Sequence, residues 1–371
     1  MKITHIATYP VRVPIKPERH MITSLGAHTV SEYVIVRVDT DAGCDGVGEA
    51  TVSPRWSGET VWGCRALIDN ILAPALAGLD PHDLARIERV MDQACQYNWF
   101  AKSALEMACW DIIGKEAGKP IYELLGGAKR PGTIRSRYSM GAYDPERARK
   151  RAAELAALGF TTIKVKVGVE PESDVARVRA VRQAIGPDID LMIDANGGWD
   201  ADTAIACVRK LEDCRLAIVE QPTPRADFSG LARVRREAGC KILADESCFD
   251  IEHARELIAL GACDAISLYP GKNGGIRKAC AIAELAAQHG IPCSIGSNLE
   301  LDLATAAMAH FVVGCPNVKV EQYPGDLLGS DYHERSLVKN PVEIDGPLTT
   351  VPDGPGLGVE VDWDIVEELG C

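Results

Sequence analysis

The chain has 371 residues, 46% of them apolar and 25% charged, a soluble globular balance in a chain too long for one small core. Its net charge of −13, with no compensating basic tract, argues against a nucleic-acid partner. No apolar run reaches the ~18 residues of a membrane span, which argues against a membrane partner.

The first residues, Met1 to Ile6, run straight into a strand pattern without an apolar signal-peptide core. The thirteen cysteines form no Cys-x-x-Cys pair, and most, such as Cys109, Cys207 and Cys263, lie in apolar surroundings. Both features predict a cytoplasmic protein with reduced thiols. Residues 1 to about 50 alternate in the β sense, with a polar loop over 16–29 and a second loop over 52–58. Helical spacing then appears over 59–75, 83–95 and 101–116, where Ala104, Met107, Ala108 and Ile112 share a face. Strands followed by helices predict an α+β domain over 1–127.

From about Thr133 short apolar strands alternate with amphipathic helices. The strands are predicted at 135–140, 162–166, 190–194, 217–220, 241–245, 265–268, 292–295 and 318–321. That rhythm predicts a (β/α) barrel of about 220 residues, here 128–350. A Pro/Gly-rich tail, 351–371, is expected to return to the N-terminal domain. No Gly-x-Gly-x-x-Gly opens a helix after the first strand, so a dinucleotide fold has little support.

Catalytic groups of such barrels stand at the C-terminal ends of the strands. The second predicted strand ends in Lys164-Val165-Lys166, so both lysines point to one side. Two ammonium groups held close are expected to lower the pKa of at least one, which suits a base that takes a proton from carbon. The next three strands end in Asp194, Glu220 and Asp245. Any one of these would pass for a surface acid or a helix cap. Three at one mouth need a cation, and hard oxygen ligands suit Mg²⁺, with Mn²⁺ able to substitute.

A Lys-x-Lys pair followed by Asp, Glu and Asp on successive strands resembles the enolase superfamily, in its mandelate racemase and muconate lactonizing enzyme branch. The resemblance covers the whole chain and implies a modified (β/α)7β barrel with an N-terminal α+β capping domain. It implies one divalent cation on Asp194, Glu220 and Asp245, holding a small carboxylate substrate while an enediolate forms. It implies Lys166 as acid/base, Lys164 beside the substrate carboxylate, and Glu321 as a carboxylate near substrate at the end of the eighth strand. A homo-oligomer is also implied.

The sequence departs from that pattern at the sixth strand. Anchored on Gly274-Gly275-Ile276, Tyr269 stands where the family's second lysine is expected. Lys272 falls in the loop beyond. No His-x-Asp pair of the mandelate racemase type is found, and His289 and His310 fall on helices. A single lysine face predicts one-base chemistry, either cycloisomerisation of the muconate type or dehydration, with Tyr269 as weak acid, hydrogen-bond donor or packing residue. Epimerisation of amino-acid or dipeptide derivatives, with Tyr269 or Lys272 as second acid/base, is the alternative. A non-catalytic binding barrel is a third reading. Specificity is expected from Arg55 and Trp56 in the capping loops, and from Asn196, Lys272 and Glu300.

Overall fold

The computed structural model describes residues 1–371. The chain opens with a three-stranded antiparallel sheet in which Val30–Thr40 lies between Ile3–Pro14 and Asp45–Val52. The helix Trp99–Ala117 packs on this sheet closely enough to require glycine beneath it. A Cβ on Gly48 would stand 2.0 Å from the Ala104 carbonyl oxygen, and one on Gly46 2.1 Å from that of Ala108. The helical stretch expected over 59–75 is broken into Val61–Leu67, a π turn over Ile68–Leu72 and Ala73–Leu76.

Seven parallel strands then curl into the barrel in chain order: Tyr138–Met140, Thr162–Lys166, Asp190–Asp194, Leu216–Glu220, Ile242–Ala244, Ala265–Leu268 and Cys293–Ile295. Every residue of Thr162–Lys166 is buried, as expected of a parallel strand covered on both faces. Met192, Ile218, Leu243, Ala265 and Tyr323 form a separate apolar cluster. The first three lie two residues before Asp194, Glu220 and Asp245, so each points to the same side as the acid that follows it. The acids therefore stand above an apolar plug.

The eighth strand expected at 318–321 does not form. Val318 makes one isolated bridge to Cys293, and the chain then turns, with the amides of Gln322 and Tyr323 both bonded to the Lys319 carbonyl. Pro324 follows, and it has no amide to donate to a ladder. The barrel is closed instead by separate bonds: Lys319 N to Cys293 O at 2.7 Å, Asp326 N to Ile295 O at 3.3 Å and Arg137 N to Gly325 O at 2.8 Å.

Buried glutamates join the two domains. Glu49 accepts from the amides of Leu301, Leu303 and Ala304 at 2.7, 3.1 and 3.1 Å, capping the barrel helix Asp302–Gly314. Glu106 accepts from Ile276 and Arg277 at 2.9 and 3.1 Å, capping Ile276–Gln288. Carboxylates at helix N-termini satisfy amides that have no partner within the helix. The tail also reaches the capping domain, where Arg12 N bonds Leu369 O at 3.1 Å and Cys371 N bonds Pro10 O at 3.1 Å. All thirteen cysteines are free, and no helix is long and apolar enough to cross a membrane.

Candidate active site

A cavity of about 440 Å³ lies over the C-terminal ends of the strands, and Lys164, Lys166, Asn196 and Asp245 line it. Backbone register puts Lys166 beside Asp194 and Asp194 beside Glu220, so the three end one continuous row. Lys166 Nζ donates to Asp194 Oδ2 at 2.6 Å and to Asn196 Oδ1 at 2.8 Å. Lys164 Nζ donates to the same Asp194 oxygen and to Glu220 Oε1, both at 2.8 Å.

The charges in this row set its electrostatics. Burial and the Arg137 guanidinium pull the Lys164 pKa down, but the Asp194 and Glu220 carboxylates more than offset them and the net shift is upward. The lowering expected from the neighbouring lysine is therefore not what Lys164 shows, because the acids outweigh the like charge. Burial works against the Asp194 anion as well, yet Lys164 and Lys166 hold its carboxyl well below the usual range. Glu220 is driven upward by burial and by the nearby Asp194 and Asp245. The rise at Glu220 comes first from burial and only then from the acids beside it, against the pull of Lys164 and Arg137.

Glu246 is a further acid here, raised first by burial. It is buried among Asp245 and Asp194, and its carboxyl is pushed up to about 8. Its Oε1 accepts from Trp56 Nε1 at 2.9 Å and from Asn196 Nδ2 at 2.8 Å, whereas Oε2 has no partner. Adjacent carboxylates as hard oxygen donors and an unpartnered carboxylate oxygen fit a divalent cation. In this conformation Asp194, Glu220 and Asp245 do not converge on one point, because Lys164, Lys166, Arg137 and Lys272 draw on their oxygens. Asn196 and Gln221, the turns after Asp194 and Glu220, adopt φ of 44° and 33°. Such backbone persists only where its surroundings fix it. Gln221 is fixed by its side chain, whose Oε1 accepts from Asp245 N at 2.9 Å and whose Nε2 donates to Ser247 Oγ at 2.7 Å.

The sixth strand lies four places along the sheet from the second, which is diametrically opposite in an eightfold barrel. Tyr269 follows it, fully buried, and its hydroxyl has no partner. Burial, then Asp245, Glu246, Glu300 and Glu220, push the phenol well above its ordinary range, so it can donate a hydrogen bond and does not act as a base. Lys272 is not a loop residue. It lies in the short helix Pro270–Asn273, fully buried. Its three N–H bonds go to Asp245 Oδ1 at 2.7 Å, Asp245 O at 2.9 Å and Ser267 O at 2.7 Å. An ammonium has three donors, so none remains for a substrate.

Other expected residues fall elsewhere. Glu321 is not at the site. The turn that replaces the eighth strand carries it to the surface, where it lies 3.4 Å from Arg130. The carboxylate that lines the cavity from this segment is Asp326. Glu300 is buried behind the cavity wall and pushed up to about 7 by burial, and it accepts from Ser297 Oγ at 2.7 Å and Asn298 N at 3.0 Å. Arg55 does line the cavity, and its guanidinium spans the capping loops, donating to Leu25 O at 2.9 Å across Gly26. Trp56 lines the cavity, with its ring 5.1 Å from Phe249 and 5.7 Å from Tyr269. The hairpin Met21–Thr23 with Gly26–His28 completes the cover, as Ala142 N bonds Ile22 O at 2.7 Å and Ser24 Oγ bonds Ala195 O at 3.0 Å.

Sequence reasoning missed Arg137 and Asp326, both buried and lining the cavity. Arg137 had a signal. A charge two residues before Ser139 in a strand covered on both faces calls for a partner inside the barrel.

Two family models match the chain. One is described as the mandelate racemase / muconate lactonizing enzyme N-terminal domain, over residues 3–126, and the other as the enolase C-terminal domain-like region, over 147–365. The chain belongs to the mandelate racemase and muconate lactonizing enzyme family. It is therefore an enzyme of the enolase superfamily. A chloromuconate cycloisomerase of Cupriavidus necator is 34% identical over 370 residues, covering 99% of this chain and 98% of that protein. The crystal structure of N-succinyl Arg/Lys racemase from Bacillus cereus superposes with a TM-score of 0.95 at 29% identity, covering 100% and 98% of the two chains. A dipeptide epimerase from Enterococcus faecalis, complexed with Mg and the dipeptide L-Leu-L-Tyr, gives 0.91 at 33% identity, covering 97% and 100%.

Proposed function

We propose that this family member removes the α-proton of a small carboxylate with a single base, Lys166, and completes a cycloisomerisation or a dehydration on the same face. The observation that carries this reading is the asymmetry of the cavity. Lys166 stands on one side, bonded to Asp194 and Asn196. Toward the sixth strand, Tyr269 and Lys272 are fully buried, neither lines the cavity, and the donors of Lys272 are all used.

Asp194, Glu220 and Asp245 would hold Mg²⁺, which when bound would supply positive charge for the substrate carboxylate. Lys166 takes the α-proton on its own side of the cavity. Lys164 faces the growing negative charge as a fixed ammonium, an electrostatic contribution of the kind that is usually the largest in such steps. In a dehydration Lys166, now carrying the proton, gives it to the departing β-hydroxyl on the same face, releasing water. In ring opening it keeps the proton while the enediolate expels the ring oxygen as a carboxylate, and ring closure runs these steps in reverse, with Lys166 giving its proton to the α-carbon. Trp56 and the capping hairpin exclude water, which strengthens every charge interaction beneath them.

Replacing Lys166 with Ala is expected to cost roughly 10²–10⁴ in turnover while the fold stays intact. A fully active Lys166→Ala protein would overturn the reading.

Epimerisation is the second reading, and it is favoured by the similarity to epimerases and racemases. It requires Tyr269 to deliver a proton to the opposite face. Inverted product carrying solvent deuterium at the α-carbon would establish it. Exchange without inversion would leave the one-base reading standing.

A further inference from the structure

Arg137 is the largest fully buried side chain of the protein. It stands at the seam where the barrel closes without an eighth strand, its amide bonded to Gly325 O at 2.8 Å. From there its guanidinium crosses the barrel. Nη2 lies 3.3 Å from Glu220 Oε2 on the fourth strand, Nη1 donates to Ser139 Oγ at 2.7 Å, and Asp326 lies at 3.8 Å. Nε has no partner. A buried guanidinium is costly to desolvate, and an apolar side chain in its place would close the barrel at lower cost. Stability therefore gives no reason for it here.

Its effect falls on Glu220. Lys164 takes Oε1 and Arg137 takes Oε2, so both oxygens of this carboxylate are held by cations. A carboxylate that already shares its charge with two cations is a weaker donor to a third. Groups behind a metal ligand tune both the affinity and the residual charge of the ion it holds.

We infer that Arg137 is a positioning residue that holds Glu220 in place and weakens its donation to the divalent cation, leaving more of the ion's charge for the substrate carboxylate. This rests on the divalent-cation reading given above.

The test is Mg²⁺ titration of substrate-free protein by calorimetry, together with steady-state kinetics. Arg137→Met, which fills similar space without charge, is expected to bind Mg²⁺ about tenfold more tightly and to lose about tenfold in kcat with KM little changed. Arg137→Lys restores the charge and is expected to return the affinity to within about threefold of the natural protein. Tighter binding with slower turnover is a signature that mere loss of packing does not produce. Equal or weaker Mg²⁺ binding by Arg137→Met would overturn the inference. If the natural protein binds no Mg²⁺, the cation reading itself fails, and the inference with it. Should Arg137→Met not fold, Arg137→Gln keeps a donor in the barrel and carries the same expectation and the same refutation.

Discussion

Lys272 and Asp245 are bonded twice: the ammonium reaches the carboxylate at 2.7 Å and the backbone carbonyl of the same residue at 2.9 Å. This pair sits under the site and fixes one of the three acids. Replacing Lys272 with Met leaves a buried carboxylate without its cation, which typically costs about 3–5 kcal/mol. Thermal unfolding of Lys272→Met should show a corresponding loss. A variant with unchanged midpoint would mean that the ammonium is not needed to keep Asp245 buried.

Glu321 and Asp326 make a contrasting pair. Glu321→Gln should leave kcat/KM within about twofold, because an exposed ion pair contributes little. Asp326→Asn removes a buried charge near Arg137 and should lower kcat/KM measurably. The reverse order in steady-state assays would return Glu321 to the site.

Trp56 gives its indole N–H to Glu246 at 2.9 Å and closes the aromatic wall. Trp56→Phe keeps most of the wall and loses the bond. A lost hydrogen bond of this kind costs about 0.5–1.5 kcal/mol, and because it belongs to the cover the expected effect is a rise in KM of about two- to tenfold, with kcat less affected. A fall in kcat alone would instead give Trp56 a part in the chemistry.

His310 carries the clearest pH signature. It is buried in the helix Asp302–Gly314, with Nε2 on Leu357 O at 3.1 Å, and burial pushes its pKa from 6.5 down to about 4. The unfolded chain therefore binds the proton first as pH falls. Stability from this residue is fully present above about pH 6.5 and is lost progressively toward pH 4, by about 3 kcal/mol. Urea unfolding at several pH values should show a steeper loss over that window for the natural protein than for His310→Gln. Parallel curves would refute it.

Gly48 tests the seam of the capping domain. Gly48→Ala would place a methyl group 2.0 Å from the Ala104 carbonyl. Overpacking of this kind costs about 1–3 kcal/mol, which thermal unfolding would register.

Much of this was legible in the sequence, and for identifiable reasons. Parallel strands are buried on both faces, so a Lys-x-Lys inside one announces itself against the apolar background, and the acids two residues beyond Met192, Ile218 and Leu243 follow the same period. The eighth strand was not legible, because Val318, Val320 and Glu321 alternate correctly and only the turn onto the Lys319 carbonyl breaks them. Glu321 and Asp326 exchanged places for that reason. Lys272 was misread because a lysine four residues past a strand normally points to water. In the capping loops Arg55 and Trp56 both line the cavity, but their contacts with Leu25 and Glu246 follow from no local pattern.

The two glutamates that reach from the capping domain onto barrel helices limit how this chain can be taken apart. Without residues 1–127, the helices Ile276–Gln288 and Asp302–Gly314 would each begin with bare amides in what had been the interior. The barrel is consequently a poor candidate for a minimal catalyst. Any recombination that transplants a foreign cap onto it has to bring an acid to the same two places, whatever loops it carries for choosing a substrate.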